Sequence, residues 1–288
     1  MNMGNVTRAW PAKASVRAWF PDFAEAGEAD ERLDYPLSAL PPCEFHDPAA
    51  FEANRRSIAN GLWQQYNWRT IQAEERIALP AIDLLMRRES ISDDVKEGLL
   101  QTSVDEKFHT YFHTLALWDA RRRAQLPLHD PGTTQRTGAS HGLIESVTVR
   151  MVTAALRAEP DPEVRELIQI AYAAVAEVSV NAFLEVLSRS TEIREVNRAL
   201  VDQHNRDERF HTVTFIEAVR QLLEREPAAV GAVLRAQISS ARHSFLLHDL
   251  SMYEQVFGAH GVSCTFGSSP GTMSRDMTGI DRLLAVAA

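Results

Sequence analysis

The segments "VDEKFHTYF" (104–112) and "RDERFHTVT" (206–214) share the pattern D-E-x-F-H-T, and this repeat constrains the fold more than any other feature of the chain. Each copy carries a Glu and a His three residues apart: Glu106 with His109, and Glu208 with His211. Three residues nearly complete a helical turn, so each pair projects from one helix face. A second regularity lies upstream. Glu74 precedes Glu106 by 32 residues and Glu177 precedes Glu208 by 31. Each half therefore offers a helix with a lone Glu, then a helix with Glu-x-x-His. Packed antiparallel, four such helices aim four carboxylates and two imidazoles at one point, the ligand set of ferritin-like di-iron carboxylate proteins.

The rest of the chain agrees with a helical bundle. From about Phe51 to Phe257 alanine, leucine, arginine and glutamate dominate, and apolar residues recur at helical rather than alternating spacing. Helices are expected near 51–67, 68–88, 92–124, 143–158, 163–189, 193–224 and 228–257, with a short one near 279–287. No strand pattern competes. The loop "HDPGTTQRTGAS" (129–140) separates the two halves. Six of the thirteen prolines fall in the first fifty residues, which read as an irregular arm with little regular structure. The expected fold is all-α: a single domain over 1–288, with an arm (1–50), a ferritin-like four-helix bundle plus additional helices (51–257) and a C-terminal tail (258–288).

Local composition turns the repeat into a metal-site hypothesis. Glu74 sits in "TIQAEERIALPAIDLL" and Glu177 in "AYAAVAEVSVNAFLEVL", faces otherwise filled with small and apolar residues. An unpaired buried carboxylate is forced neutral or strongly destabilises the fold, so a Glu in either place requires a cation. Glu75 competes with Glu74, although Glu74 falls in line with Thr70, Ile77 and Ala81. Glu185 could share the side of Glu177, but its surroundings are more polar. His204, four residues before Glu208, lies one turn earlier on the same face and adds a third nitrogen. Four carboxylates and three neutral imidazoles balance two ferrous ions to zero net charge, and the donor types suit iron or manganese. Asp105 and Asp207, next to the helix glutamates, are candidate acceptors for the outer N–H groups of ligand histidines.

Other classes are disfavoured. A net charge of −9 provides no basic stripe for nucleic acid. No apolar run is expected to reach the roughly 18 residues of a membrane span, and the start "MNMGNVTRAWPAK" lacks a secretion h-region. Cys43 and Cys264 are the only cysteines and have no metal-ligand spacing, so a reducing cytoplasm is expected.

The segments "YNWRTIQAEERIALPAIDLLM", "VDEKFHTYFHTLAL", "AVAEVSVNAFLEVL" and "HNRDERFH" resemble the p-aminobenzoate N-oxygenase family of non-haem di-iron enzymes. The resemblance implies that Glu74, Glu106, His109, Glu177, His204, Glu208 and His211 hold two iron ions, with the third histidine as the family's mark. It further implies O2 as co-substrate, an external electron donor and a homodimer. The implied reaction takes a primary amine to hydroxylamine, nitroso and nitro products in natural-product biosynthesis. "HSFLLHDLS" and "SRDMTG" resemble the family's helix and tail that close the substrate pocket. By that likeness Arg275 meets a substrate carboxylate, while Phe245, Tyr66 and Asn181 face the pocket. The competing expectations are a di-iron hydroxylase or desaturase acting at carbon, and a ferritin-type metal store.

Overall fold

The structure is a computed structural model that describes residues 3–15, 23, 30–127, 143, 145–247, 250–267, 280, 281 and 284. In chain order these give helix α1 (Met3–Lys13), strand β1 (Cys43–Phe45), α2 (Pro48–Ala53), α3 (Arg55–Ala73), a π-helical turn (Glu74–Ala78) and α4 (Leu79–Met86). Then follow α5 (Asp93–Arg123), α6 (Val147–Ala158), α7 (Pro162–Ser179), α8 (Asn181–Arg189), α9 (Glu195–Arg225), α10 (Ala228–Leu247), α11 (Ser251–Ala259) and β2 (Cys264–Phe266). The fold is all-α and ferritin-like.

Four long helical units make the bundle: α3–α4, α5, α7–α8 and α9. Their antiparallel order shows in the side-chain bonds, whose residue numbers run in opposite directions along each pair. Asn60 Nδ2 donates to Ala120 O while Lys107 pairs with Glu75, setting α3 against α5. Ser92 N donates to Gln221 Oε1 while His109 meets Asp207, setting α5 against α9. Around this frame α10 packs on α7, with Leu234, Ile238 and Ala241 fully buried against Ala171, Ala173 and Ala174. Small residues on α7 let the backbones approach, and each fully buried Leu or Ile adds about 1.5–3 kcal/mol. The span Pro162–Arg189 is long and apolar enough to cross a membrane by composition, contrary to expectation, but 78% of its apolar window is buried inside the fold. Its apolarity is that of a core helix.

Two interruptions place the lone glutamates. The boundary expected near 67/68 is absent, and α3 runs on through Glu74 into a π turn before α4. Pro80 is the cause: it has no N–H, and its ring clashes with the carbonyl four residues back, which is that of Arg76. The backbone shifts to five-residue bonding, with Leu79 N donating to Glu74 O. The freed Arg76 and Ile77 carbonyls accept from Gln169 Nε2 of α7 at 3.1 and 2.9 Å. In the other half, the helix expected over 163–189 breaks at Val180, directly after the turn that carries Glu177. There Thr212 Oγ1 of α9 donates to Glu177 O at 2.8 Å. Each lone Glu thus sits where its helix departs from regular α geometry, and a neighbouring helix supplies the missing hydrogen bonds.

The N-terminal arm is more ordered than expected. Met3–Lys13 is helical despite Pro11, and Met3, Val6 and Thr7 are buried against the bundle. Met3 packs over Gly98 of α5, where a Cβ would stand 2.9 Å from the mobile end of its side chain. Further on, β1 and β2 pair antiparallel, Cys43 with Phe266 and Phe45 with Cys264, so arm and tail share a two-stranded ribbon that periodicity did not reveal. Three-residue strands are too short to show alternation. The helix expected over 228–257 appears as α10 and α11.

Gln169→Leu should leave two buried carbonyls without donors. A loss of about 1–3 kcal/mol is expected, read by chemical denaturation of the metal-free protein, and an unchanged midpoint would show that the π turn holds itself.

Candidate metal centre

The described structure brings all seven sequence-derived residues into one buried cluster. Glu106 and Glu208 lie at its centre, on α5 and α9. Glu106 Oε1 is 3.1 Å from His211 Nδ1, and Glu106 Oε2 is 3.7 Å from His109 Nδ1. Glu208 Oε1 lies 3.2 Å from His211 Nδ1 and 3.9 Å from His109 Nδ1. Both central carboxylates therefore face both imidazoles. At one end Glu177 Oε2 is 3.5 Å from His211 Nδ1. At the other, His204 Nε2 is 2.8 Å from Glu208 Oε1 and 3.8 Å from Glu74 Oε1. Donor atoms of Glu106, His109, Glu208 and His211 form one group within 4.8 Å of one another, and those of Glu74, His109 and His204 form a second.

The donor set fits a pair of cations. Glu74 Oε1, both Glu106 oxygens, His109 Nδ1, Glu177 Oε2 and Glu208 Oε2 are buried without a hydrogen-bond partner. A native core leaves such atoms bare only rarely. Six bare donors around one point, almost all of them carboxylate oxygens, call for positive charge rather than for water.

Electrostatics tell the same story. Burial, reinforced by the negative charge of Glu106, pushes the Glu74 carboxyl well above the usual range, while its Oε2 accepts from Thr110. Burial and the neighbouring Glu208 do the same to Glu177. For Glu208, burial pulls upward, but His211 and His204 outweigh it and hold the group well below its ordinary value. Burial likewise pulls His109 and His211 down, yet their carboxylate neighbours raise both well above the usual imidazole range. Without metal, protons take the place of cations.

The two aspartates act across the helix pair. His109 Nε2 meets Asp207 Oδ2 at 3.2 Å, and His211 Nε2 meets Asp105 Oδ2 at 3.4 Å. Each Asp beside one Glu-x-x-His thus anchors the histidine of the other. An aspartate accepts, so each Nε2 keeps its proton, and Nδ1 is the atom left for the cluster, where a proton or a metal cation can sit. The arm holds both aspartates in turn: Trp10 Nε1 donates to Asp105 Oδ2 at 2.7 Å, and Ser15 N and Oγ donate to Asp207 at 2.9 and 2.7 Å.

The close competitors separate cleanly. Glu75 is half-exposed and pairs with Lys107 at 2.9 Å. Glu185 pairs with Arg189 toward solvent. Tyr66 and Phe245 line a cavity of about 140 Å³ whose wall also includes Glu74, Glu106, Glu177, His204 and Glu208. Asn181 does not line it: its Nδ2 donates to Thr212 Oγ1 at 2.7 Å, bracing the break between α7 and α8. Its one-turn spacing from Glu177 is lost at that break. Arg275 lies outside the described residues.

Two residues escaped sequence reasoning. Arg69 lines the cavity and donates to Ser251 Oγ at 2.8 Å. It stands in the quoted stretch "YNWRTIQAEE", but nothing in its spacing marked it. His113 is fully buried, with Nε2 2.8 Å from His204 Nδ1 and Nδ1 2.7 Å from Asn67 Oδ1. Its signal was the four-residue step from His109 in "HTYFH".

An antiparallel helical bundle that gathers four carboxylates and three imidazoles in its core defines a ferritin-like scaffold with a candidate metal site. Scanned against protein-family models, the sequence gives no match. Over 265 residues, however, it is 31% identical to the 4-aminobenzoate N-oxygenase of Streptomyces thioluteus, across 90% of this chain and 76% of that protein. The chain belongs to the p-aminobenzoate N-oxygenase family of monooxygenases.

The shifts make the metal-free protein pH-sensitive with a definite sign. Glu74 and Glu177 bind protons more tightly folded than unfolded, as do His109 and His211. Above the ordinary Glu value of 4.5 these groups hold extra protons in the folded state, so their contribution to stability falls as pH rises. Below it, protonation of Glu106 and Glu208 reverses the trend. The lowered imidazoles of His113 and His204 oppose that fall up to the ordinary His value of 6.5, so thermal melting of chelator-treated protein should show Tm declining from about pH 7 upward. The Glu74→Gln/Glu177→Gln double variant should flatten that slope.

Proposed function

We propose that this chain is a di-iron N-oxygenase, with manganese as the alternative metal. It would use O2 and electrons from an external donor to oxidise a primary amine that carries a carboxylate. Hydroxylamine, nitroso or nitro products are expected. The observation that carries this reading is the set of six bare donor atoms beside a cavity of ring size. A cavity of about 150 Å³ accommodates benzene in another protein, and this one measures about 140 Å³.

Glu106 and Glu208, which lie between the imidazoles, would contribute carboxylates to both metal positions. Glu177 and His211 would complete one position, and Glu74, His109 and His204 the other. When bound, the metal pair supplies the reduction of O2. The chain's own residues supply position and polarity. Ile77, Ala176, Val180, Phe183, Phe245 and Met252 give the cavity apolar walls, which exclude water from a ring and leave the amine lone pair unsolvated. Arg69 sits on the same wall, and a guanidinium reads a carboxylate through two parallel hydrogen bonds. Burial lifts the Tyr66 phenol above its ordinary value, so it remains a neutral O–H in the wall. With the carboxylate held at Arg69, the opposite end of an aminobenzoate-like substrate faces the glutamates. The family resemblance adds Arg275 as a second guanidinium and a homodimer as the assembly.

Anaerobic titration should show two ferrous ions bound per chain, and Glu106→Ala or Glu208→Ala should lose at least one of them together with all activity. A stoichiometry of one or none in the parent protein would remove the dinuclear reading. On exposure to O2 and a reductant, a panel of amines should give nitroso or nitro absorbance; products hydroxylated only at carbon would reassign the enzyme as a hydroxylase. Arg69→Met should raise KM for 4-aminobenzoate about 10- to 100-fold, the equivalent of a lost charge-assisted bond worth about 1.5–3 kcal/mol, while leaving aniline unaffected.

A further inference from the structure

The three histidines of the centre are anchored in two different ways. His109 and His211 turn their outer nitrogens to Asp207 and Asp105. His204 turns its outer nitrogen to another imidazole, and the chain of bonds beyond it has a fixed direction. Trp63 O is a backbone carbonyl and can only accept, so Asn67 presents its amide nitrogen there, Nδ2 to O at 2.7 Å. That fixes Asn67 Oδ1 toward His113, where it can only accept from Nδ1 at 2.7 Å. A neutral His113 with its proton on Nδ1 has a bare Nε2, which accepts from His204 Nδ1 at 2.8 Å. His204 is left with a bare Nε2 aimed at Glu208 Oε1, 2.8 Å away. Two acceptors facing each other at that distance require a cation.

We propose that Asn67 and His113 are positioning residues whose relay from the Trp63 carbonyl sets the tautomer of His204, with Nε2 as its metal-binding atom. This rests on the dinuclear reading above and deepens it. The relay is absent from the other half of the repeat. A shift of 102 residues carries Asp105, Glu106 and His109 onto Asp207, Glu208 and His211, but it pairs Thr102 with His204 and His113 with Phe215. Both Thr102 and Phe215 are buried, so the other end of the centre has no such imidazole pair. The chemistry of the anchor differs too. An aspartate acceptor adds negative charge and raises the basicity of its histidine, whereas His113 accepts without charge. A third nitrogen is thereby added with no further carboxylate in the core.

The test needs no turnover. In protein selectively labelled with ¹⁵N-histidine and loaded with zinc as a diamagnetic probe, His204 should show its proton on Nδ1; a proton on Nε2 would overturn the relay. In anaerobic titrations, His113→Leu should weaken the second ferrous ion about 10- to 100-fold, the range for loss of such an outer partner, and leave the first unchanged. His113→Gln, whose Oε1 can accept from His204 Nδ1, should restore most of that loss. If the parent binds two ferrous ions and His113→Leu binds both equally well, the relay fails while the dinuclear reading stands. If the parent binds fewer than two, both fail. The NMR measurement on the parent protein decides the point even if the variants do not fold.

Discussion

Repulsion among four carboxylates in a dry core is the constraint on which the rest of the structure depends. At the separations found here, like charges in a medium of low polarity repel strongly, and burial penalises each one further. The fold answers by dividing the labour. On the two central helices, Glu106 faces two imidazoles and Glu208 three. Glu74 and Glu177, on the outer pair, have fewer opposite partners and are driven toward the protonated form. The imidazoles of His109 and His211, raised well above their usual range, offset part of this repulsion in the metal-free protein, and metal cations would offset more of it.

Rigidity around the cluster is achieved by exchange between helices. Asp105 and Asp207 reach across to the histidine of the opposite helix, so α5 and α9 cannot slide without breaking both bonds. The arm then locks the aspartates through Trp10 and Ser15. On the outer helices, Gln169 and Thr212 occupy the backbone positions that the π turn and the Val180 break leave open. The departures from regular helix fall beside Glu74 and Glu177, which is where a carboxylate must be aimed against the helical repeat. Irregular helical geometry often marks functional sites for this reason.

Much of this was legible in the chain. Glu-x-x-His twice, each with a lone Glu about thirty residues upstream, already implies four helices and one convergence point. What escaped reading was of two kinds. The arm looked irregular because its prolines are punctuation only where the chain lacks tertiary support, and α1 gains that support by burying Met3, Val6 and Thr7 against the bundle. Arg69 carries no periodic signal, and the four-residue step from His109 to His113 shows a shared face without showing what His113 meets. Their significance lies in a neighbour contributed by another helix.

The sequence by itself determined the class of the fold and singled out the seven side chains that the fold gathers into one buried cluster, since helical spacing dictates which side chains share a face. It also narrowed Glu74 against Glu75, by alignment with an apolar stripe. Only the tertiary structure decided which carboxylates sit between the imidazoles, which aspartate anchors which histidine, and that Asn181 braces a helix break instead of facing the cavity. Those are relations between helices, set by packing register. Register depends on the fit of whole surfaces, and no single stretch of chain records it.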